Sequence, residues 1–324
     1  MKAMVQDAYG PPEVLQLREI DRPTFDDDQV LLRVRAASVN PPDWAGVHGV
    51  PYIVRAAFGL RRPRNGVRGT DVAGTVEAVG KNVTGLQAGD EVFGRSASGA
   101  FAEYAVAPAE HLVPKPATVT FEQAAAVPMS GLTALQALRD AGQLKPGQEV
   151  LIVGAGGGIG TFAVQIARSM GAEVTGVCST SKLELVRSLG AAQVIDYTRE
   201  DFTQGDQRYD LILDNVLQHP LSRLLRAVKP KGTLVPNGGQ FYKRWFASTG
   251  VLLIKAPLLS LFVPQRIRVC NERPGQSDLL VLKELMEAGK LTPIVGSTYP
   301  LSQVRGAISY FGEGHAEGKV VITI

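Results

Sequence analysis

Cysteine and histidine are scarce in this chain of 324 residues, which holds two cysteines and four histidines. Cys178 and Cys270 form no Cys-x-x-Cys motif, so the sequence favours neither a disulfide framework nor a structural zinc cluster. The histidines show no spacing typical of a metal site; they are His48, His111, His219 and His315. We therefore predict a protein without a bound metal.

Charge of one sign is also in short supply, because the formal net charge is +3 at pH 7. So small an excess gives no reason to expect nucleic-acid binding. The chain runs from Met1 straight into strand-like sequence with no visible signal peptide, so we predict a cytoplasmic protein. Its 324 residues are enough for two domains with full cores.

The most informative segment is 150–160, which reads VLIVGAGGGIG. An apolar run ends in a glycine-rich turn, and apolar residues then recur at helical spacing as far as Met170, before Gly171. A buried strand, a tight glycine turn and a helix N-terminus together form a pyrophosphate site, because the backbone approaches closely and free N–H groups face the anion. We predict a dinucleotide-binding turn here. The alternative is an ordinary strand–turn–helix crossover with glycines for close packing.

An acidic residue is missing where an NAD site usually has one. The second predicted strand, 173–178, should end near an Asp or Glu that holds the ribose 2′-hydroxyl. Residues 178–182 instead read CSTSK and contain no acid. Ser181 and Glu184 also have the spacing of a capping box for the next helix. Hydroxyls and Lys182 thus converge where a 2′-phosphate would lie, which predicts NADPH. The alternative is that Ser181 is only a cap and Lys182 is solvated.

The N-terminal third differs, because short strands alternate there with frequent glycine and proline. Segment 29–35 alternates as a half-buried strand, and segments 69–80 and 89–94 read as strands joined by tight glycine turns. These features predict a small β-barrel. Further short strands near 194–195, 211–213 and 232–235 alternate with helices, which predicts a doubly wound parallel sheet.

Several motifs in this order resemble the medium-chain dehydrogenase/reductase superfamily, specifically its zinc-independent, quinone oxidoreductase-like branch. The motifs are ASVNPPD at 37–43, GTDVAG at 69–74, GDEV at 89–92, LTA at 132–134, the glycine turn at 154–160 and GKVV at 318–321. The resemblance implies an α/β protein with a GroES-like β-barrel catalytic domain and a six-stranded Rossmann domain. We assign residues 1–118 and 274–324 to the first and 119–273 to the second, with NADPH in the cleft between them.

Zinc-dependent relatives have a Cys in the first of these motifs and a His-Glu pair in the glycine motif. This chain has Asn40 and Asp43 in the first and Thr70-Asp71 in the second, so even with His48 nearby the ligand set is incomplete. Without a metal, the remaining chemistry is hydride transfer to an electron-poor acceptor, either a quinone or an α,β-unsaturated carbonyl.

The resemblance places Asn40 near the nicotinamide, where it could donate to the substrate oxygen, and Thr133 against the cofactor. Asn40 could instead be a turn residue before two prolines. The predicted catalytic residues are Asn40 and Tyr52. The predicted cofactor-binding residues are Asn40, Thr133, Gly154, Gly157, Gly158, Ile159, Ser179, Ser181, Lys182, Asn215 and Gly238.

Two segments are unusual. Five arginines crowd residues 55–68, either to attract anions or as a solvated loop; they are Arg55, Arg61, Arg62, Arg64 and Arg68. Segment 241–268 is apolar with basic charges alone, and Lys255 and Pro257 interrupt its apolar run, so it is no transmembrane helix. We predict that it forms a pocket wall or a homodimer surface; peripheral contact with an anionic membrane is the alternative. The rival to an enzyme is an NADPH-binding protein whose main role is partner or membrane contact, with weak turnover.

Overall fold

The computed structural model describes residues 1–237 and 263–324. Its strands are β1 (Lys2–Val5), β2 (Gln16–Glu19), β3 (Gln29–Ser38), β4 (Asp71–Val79), β5 (Glu91–Arg95), β6 (Tyr104–Pro108), β7 (Leu112–Pro114), β8 (Glu149–Val153), β9 (Glu173–Cys178), β10 (Gln193–Asp196), β11 (Tyr209–Asp214), β12 (Val228–Pro236), β13 (Arg266–Ile267), β14 (Val295–Pro300) and β15 (Lys319–Thr323). Its α-helices are α1 (Pro41–His48), α2 (Arg55–Phe58), α3 (Phe121–Ala125), α4 (Pro128–Gln136), α5 (Gly158–Ser169), α6 (Leu183–Ser188), α7 (Leu221–Ala227), α8 (Gln276–Glu287) and α9 (Val304–Glu313). Single turns of other helix types are Pro12–Val14, Tyr52–Val54, Ala109–His111, Ala137–Ala141, Thr180–Lys182 and Leu301–Gln303.

Tertiary contacts divide the chain into two compact units. The first unit comprises Met1–Met129, Pro274–Gly289 and Pro293–Ile324, and the second comprises Ser130–Arg273 and Lys290–Thr292. The chain first passes from the first unit to the second after Met129, later than the predicted boundary at residue 118. The reason is that α3 contacts β3 and β4 of the first unit.

The first unit contains, within its described residues, a seven-stranded sheet in the spatial order β14-β15-β3-β4-β5-β7, with β6 also pairing to β3. The last strand of the chain, β15, runs antiparallel to β3, and Val321 lies opposite Ser38. Strand β4 pairs with the other edge of β3 and places Asp71 opposite the same Ser38. Residues from three distant parts of the sequence thus meet at the end of β3.

The second unit contains a six-stranded sheet in the order β10-β9-β8-β11-β12-β13, counted over its described residues, and every pairing in it is parallel. Strands β8 and β11 are almost fully buried, as expected for a parallel sheet covered on both faces. Helix α5 packs on β8 and β9 with Phe162 and Ile166 buried; each such side chain stabilises the fold by roughly 1.5–3 kcal/mol. The predicted doubly wound sheet is confirmed.

The described helices are also informative about membranes. No helix in residues 1–237 or 263–324 has the length and apolarity needed to cross a bilayer.

Candidate active site

The glycine-rich turn lies at the carboxyl end of β8, as the sequence predicts. Gly154 has a φ of +76°, a conformation that glycine adopts without strain. A Cβ on Gly160 would lie 2.1 Å from the Gly154 carbonyl oxygen, so this position has no room for a side chain. The backbone conformation therefore requires glycine at 154, and the packing of the turn requires glycine at 160.

Gly157 is different, because a Cβ there would meet no atom closer than the Gly154 oxygen at 3.4 Å. The protein itself leaves room at this position, so a glycine is needed here if a ligand approaches the backbone. Gly157 is the N-cap of α5, and no side chain caps this helix end. The first-turn N–H groups, including those of Gly158 and Ile159, have no acceptor within the helix. This arrangement fits a pyrophosphate.

The turn after β9 carries the residues predicted to bind a 2′-phosphate. The Ser179 and Ser181 hydroxyls are 3.2 Å apart, and the Lys182 N–H donates to the Ser179 carbonyl oxygen at 2.9 Å. The stem of Lys182 runs beside Gly156, since a Cβ there would lie 2.7 Å from the Lys182 Cδ. The 179–182 turn is therefore adjacent to the glycine-rich turn.

The predicted capping box is wrong. Helix α6 begins at Leu183, and its N-cap, Lys182, makes no side-chain capping hydrogen bond. Ser181 instead contacts Ser179, and Thr180–Lys182 forms a separate 3₁₀ turn. Asp196, which the sequence analysis did not identify, stabilises this turn. The Thr180 hydroxyl donates to the Asp196 Oδ2 at 2.5 Å.

Asn215 links the carboxyl ends of neighbouring strands. Its Nδ2 donates to the Val153 carbonyl oxygen at 3.1 Å, and its Oδ1 accepts from the Asn237 Nδ2 at 2.9 Å. The preceding Asp214 is fully buried; its Oδ1 accepts from the N–H groups of Val216 and Leu217, both at 2.9 Å. These contacts shape the loop that follows β11.

Thr133 and Gly238 are the remaining predicted cofactor residues. Thr133 lies within helix α4 and is buried, and its carbonyl oxygen is 3.9 Å from the Cys270 Sγ. Gly238 lies outside the described residues, as does most of the apolar, basic segment 241–268.

Asn40 belongs to a buried group in the first unit that we call the lysine–carboxylate cluster: Ser38, Asn40, Asp71 and Lys319. The Lys319 Nζ donates to the Asn40 Oδ1 at 2.5 Å and lies 3.9 Å from the Asp71 Oδ2. The Asn40 Nδ2 donates to the Asp71 Oδ2 at 2.9 Å and lies 3.3 Å from both oxygens of Ser38. Burial lowers the pKa of Lys319, and the nearby carboxylates oppose that shift.

This geometry bears on the predicted role of Asn40. Its side chain is 1% exposed, and both ends of its amide contact protein groups. Donation from this amide to a substrate would require the loss of one of these hydrogen bonds. The residue is more than the turn residue of the alternative interpretation, because it holds Lys319 and Asp71 in one network.

Asp43 lies beside the lysine–carboxylate cluster. Its Oδ2 accepts from the Asn40 N–H at 2.9 Å, and its Oδ1 accepts from the Gly69 N–H and the Thr70 hydroxyl, both at 3.1 Å. Burial first, and the Asp71 charge second, raise the pKa of Asp43 to about 6. Asp71 in turn accepts from the N–H of Met129, at 3.2 Å from each oxygen. Asp43 and Asp71 thus accept hydrogen bonds from both backbone N–H groups and side chains, and they hold the segments around residues 40, 69 and 129 in place.

Tyr52, the second predicted catalytic residue, is not buried with Asn40. It is 71% exposed, and its ring packs under the Arg55 guanidinium at 4.6 Å. Its hydroxyl makes no hydrogen bond with a described residue. Its catalytic role stays a prediction.

The arginine-rich segment 55–68 divides into two kinds of side chain. Arg61, Arg62 and Arg64 are exposed, as in a solvated loop. Arg68 is buried, donates to the Gln6 Oε1 at 3.2 Å and lies 4.9 Å from the Phe58 ring. A solvated loop describes the three exposed residues. It does not describe Arg68, nor the half-buried Arg55, whose Nε donates to the Gly49 carbonyl oxygen at 2.9 Å.

Within residues 1–237 and 263–324, no group of three or more His, Cys, Asp or Glu side chains could hold a metal ion. His48 stacks on Trp44 with ring centroids 3.8 Å apart, and its Nδ1 lies 2.9 Å from the Trp44 carbonyl oxygen. The amide, hydroxyl and ammonium groups of Asn40, Thr70 and Lys319 are also a poor donor set for zinc.

Comparison with known proteins adds to this geometry. The model of the alcohol dehydrogenase GroES-like domain matches residues 26–117, and that of the zinc-binding dehydrogenase matches residues 189–322. The 2-methylene-furan-3-one reductase of Solanum lycopersicum is 33% identical, with 99% of this chain and 79% of the relative covered. The quinone oxidoreductase of Homo sapiens is 32% identical, with 100% and 98% covered. The structure of the Escherichia coli quinone oxidoreductase complexed with NADPH superposes with a TM-score of 0.85 at 26% identity, and both chains are fully covered (100% each).

Proposed function

The chain belongs to the zinc-independent, quinone oxidoreductase-like branch of the medium-chain dehydrogenase/reductase superfamily, and from this we propose that it reduces quinones or α,β-unsaturated carbonyl compounds with NADPH. The glycine-rich turn carries the proposal, because its open position at Gly157 adjoins a turn of hydroxyls and a lysine. A cofactor with both a pyrophosphate and a 2′-phosphate fits these two neighbouring features.

Named residues have distinct tasks in this proposal. The first-turn N–H groups of α5 hold the pyrophosphate, and Ser179, Ser181 and Lys182 hold the 2′-phosphate. Thr133 and Asn215 position the nicotinamide end. When bound, NADPH supplies a hydride from C4 of its nicotinamide ring.

The acceptor class follows from chemistry and from the relatives. Quinones and 2-methylene-furan-3-ones share a carbonyl conjugated to a carbon–carbon double bond, and relatives named for both are similar to this chain along most of their length. Hydride addition to such a system moves negative charge to the carbonyl oxygen, which a donor must stabilise. The Asn40 and Thr70 side chains are poor ligands for a metal ion that could take this role. We therefore assign the hydrogen-bond donation to the Asn40 amide or the Tyr52 hydroxyl.

The proposal is tested by following NADPH oxidation with quinones, enals and enones, and with saturated aldehydes as the control. We expect turnover with the conjugated acceptors, none with the saturated ones, and no loss after treatment with a chelator. With C4-deuterated NADPH, deuterium should appear at the β-carbon of an enone. Tight NADPH binding without turnover on any acceptor would contradict the proposal and favour the cofactor-binding role.

Assembly is a separate part of the proposal. We infer a homodimer, because β13 is the outermost strand of the six-stranded sheet as described and an edge strand offers unpaired backbone groups to a partner. Light scattering should give twice the chain mass of 34.6 kDa. A monomer that sediments with anionic vesicles at low salt and is released at high salt would contradict the dimer and favour membrane contact.

A further inference from the structure

An acidic side chain lies beside the predicted 2′-phosphate residues, although none follows β9 in the sequence. Asp196 is the last residue of β10, which pairs in parallel with β9 and places Asp196 opposite Cys178. The pairing brings this carboxylate next to the 179–182 turn. Its side chain is 8% exposed.

Both carboxylate oxygens of Asp196 are occupied by hydrogen-bond donors. Oδ2 accepts from the Thr180 hydroxyl at 2.5 Å, and Oδ1 accepts from the Thr198 N–H at 3.0 Å and its hydroxyl at 2.7 Å. The two threonine hydroxyls are 3.0 Å apart. We call Thr180, Asp196 and Thr198 the hydroxyl clamp. A carboxylate satisfied in this way is not free to hold ribose hydroxyls, as the acid of an NAD site does.

The hydroxyl clamp fixes the turn that bears the predicted phosphate ligands. Thr180 is the first residue of the 3₁₀ turn that ends at Lys182. Ser179 and Ser181 are joined through their hydroxyls, and the Lys182 N–H bonds to the Ser179 carbonyl oxygen. Holding Thr180 therefore restricts all three predicted ligands at once.

We propose that Asp196 is a positioning residue that sets the preference for NADPH over NADH by holding the 179–182 turn through Thr180. The inference deepens the proposed function and rests on it. Preorganised ligands bind without a further ordering cost, and Ser179, Ser181 and Lys182 would contact the group that NADH lacks. Loss of the clamp should therefore weaken NADPH binding and leave NADH binding nearly unchanged.

The negative charge of Asp196 acts in the opposite direction, because a carboxylate repels a nearby phosphate. The two effects can be separated by substitution. Asp196→Ala removes the clamp and the charge together. Asp196→Asn removes the charge, while its amide can still accept from Thr198 and donate to the Thr180 hydroxyl.

The experiment measures dissociation constants for NADPH and NADH by titration of the intact protein. Asp196→Ala should weaken NADPH binding about tenfold, as expected when a charged ligand loses well-placed hydrogen bonds; NADH binding should change less than threefold. Thr180→Val should have a similar effect, and Asp196→Asn should keep most of the NADPH preference. In a Lys182→Ala background, Asp196→Ala should change the NADPH/NADH ratio little further, because the main ligand is already gone.

Asp201 offers a matched control. Its Oδ1 accepts from the N–H and hydroxyl of Thr203, at 2.9 and 2.7 Å, much as Asp196 holds Thr198. No hydrogen bond joins Asp201 to the 179–182 turn in the described structure. Asp201→Ala should therefore leave the NADPH/NADH ratio at the wild-type value, and retained NADH affinity shows that each variant is folded.

Two results would overturn the inference. In one, Asp196→Ala leaves the NADPH/NADH ratio within twofold of wild type or raises it. In the other, its effect adds fully to that of Lys182→Ala. A wild-type protein that binds no NADPH would instead overturn the proposed function, so the two failures are distinguishable.

Discussion

The hydroxyl clamp and the lysine–carboxylate cluster each stabilise a buried aspartate at one end of a strand, Asp196 in the first and Asp71 in the second, but they do so with different partners. In the clamp, the hydrogen bond from Thr180 is the main cause of the lowered pKa of Asp196. In the other unit, burial dominates and raises the pKa of Asp43, which lies beside the cluster, to about 6. Hydrogen-bond donors lower the pKa of a carboxyl group and desolvation raises it, so the two effects compete. Asp196 has hydroxyl donors at 2.5 and 2.7 Å, closer than the donors to Asp43 at 2.9 to 3.1 Å, and stays ionised.

The ammonium of Lys319 explains how the deeper carboxylate is tolerated. Asp71 is 0% exposed, and an isolated charge at that depth is strongly unfavourable. Lys319 lies 3.9 Å from its Oδ2, and Asn40 bridges the two. Asp196 is held mainly by hydroxyl and N–H donors, and the mostly exposed Arg199 lies 3.5 Å from its Oδ2. The buried carboxylate of Asp71 has a buried opposite charge, Lys319, instead.

The largest expected effect comes from removing that charge. Lys319→Met should lower the free energy of unfolding by about 3–5 kcal/mol, because it leaves a buried carboxylate without its partner. Urea denaturation measures the loss, and Lys319→Met with Asp71→Asn should recover part of it. A loss below about 1 kcal/mol would show that the lysine–carboxylate cluster is no more dependent on charge than the hydroxyl clamp.

A pH series sharpens the contrast at Asp43. Its pKa is raised from 3.8 to about 6 on folding, so the native state binds this proton more tightly than the unfolded state. The stabilisation is present below pH 3.8 and is lost as pH rises through about 6. Between pH 4 and 7, the stability of the wild type should fall relative to Asp43→Asn by at most about 3 kcal/mol.

The check is urea denaturation of both proteins at each pH where they are folded. Parallel curves for wild type and Asp43→Asn would mean that Asp43 is ionised like Asp196, and the contrast between the two regions would disappear.

Lys182 is the next test, because it is the charged ligand that the hydroxyl clamp is proposed to position. Lys182→Ala should weaken NADPH binding by roughly 1.5–3 kcal/mol, about ten- to a hundredfold, and NADH binding far less. Titration with both cofactors measures the difference. Equal losses for the two cofactors would place the phosphate site elsewhere.

The smallest expected effect concerns the backbone beside Asp214. Leu217 has a φ of +55°, which costs a non-glycine residue about 1–2 kcal/mol, and Asp214 holds this loop through the Leu217 N–H. Leu217→Gly should stabilise the protein by up to about 1 kcal/mol, because glycine removes the strain but loses more chain entropy. Thermal unfolding measures it, with Lys231→Gly at φ +67° as a matched change; a clear destabilisation would mean that Leu217 packing outweighs the strain.

Local features of the nucleotide unit were predictable from the sequence. Strand β9 has the predicted bounds, and β8 and α5 lie within about a residue of theirs. Their signals are short: an apolar run, a glycine turn and a helical repeat. The capping box failed because its serine had a competing partner, Ser179, and because Asp196 held the preceding threonine.

The sequence by itself determined the order of strands and helices, the glycine-rich turn, and the lack of an acid directly after β9, since all of these depend on neighbouring residues. Tertiary structure decided which side chains share a site. Parallel pairing of β10 with β9 brings Asp196 to Thr180, and antiparallel pairing of β15 with β3 brings Lys319 to Asn40 across 279 positions. Strand register sets these contacts, and register depends on the packing of whole sheet faces, which no local pattern specifies.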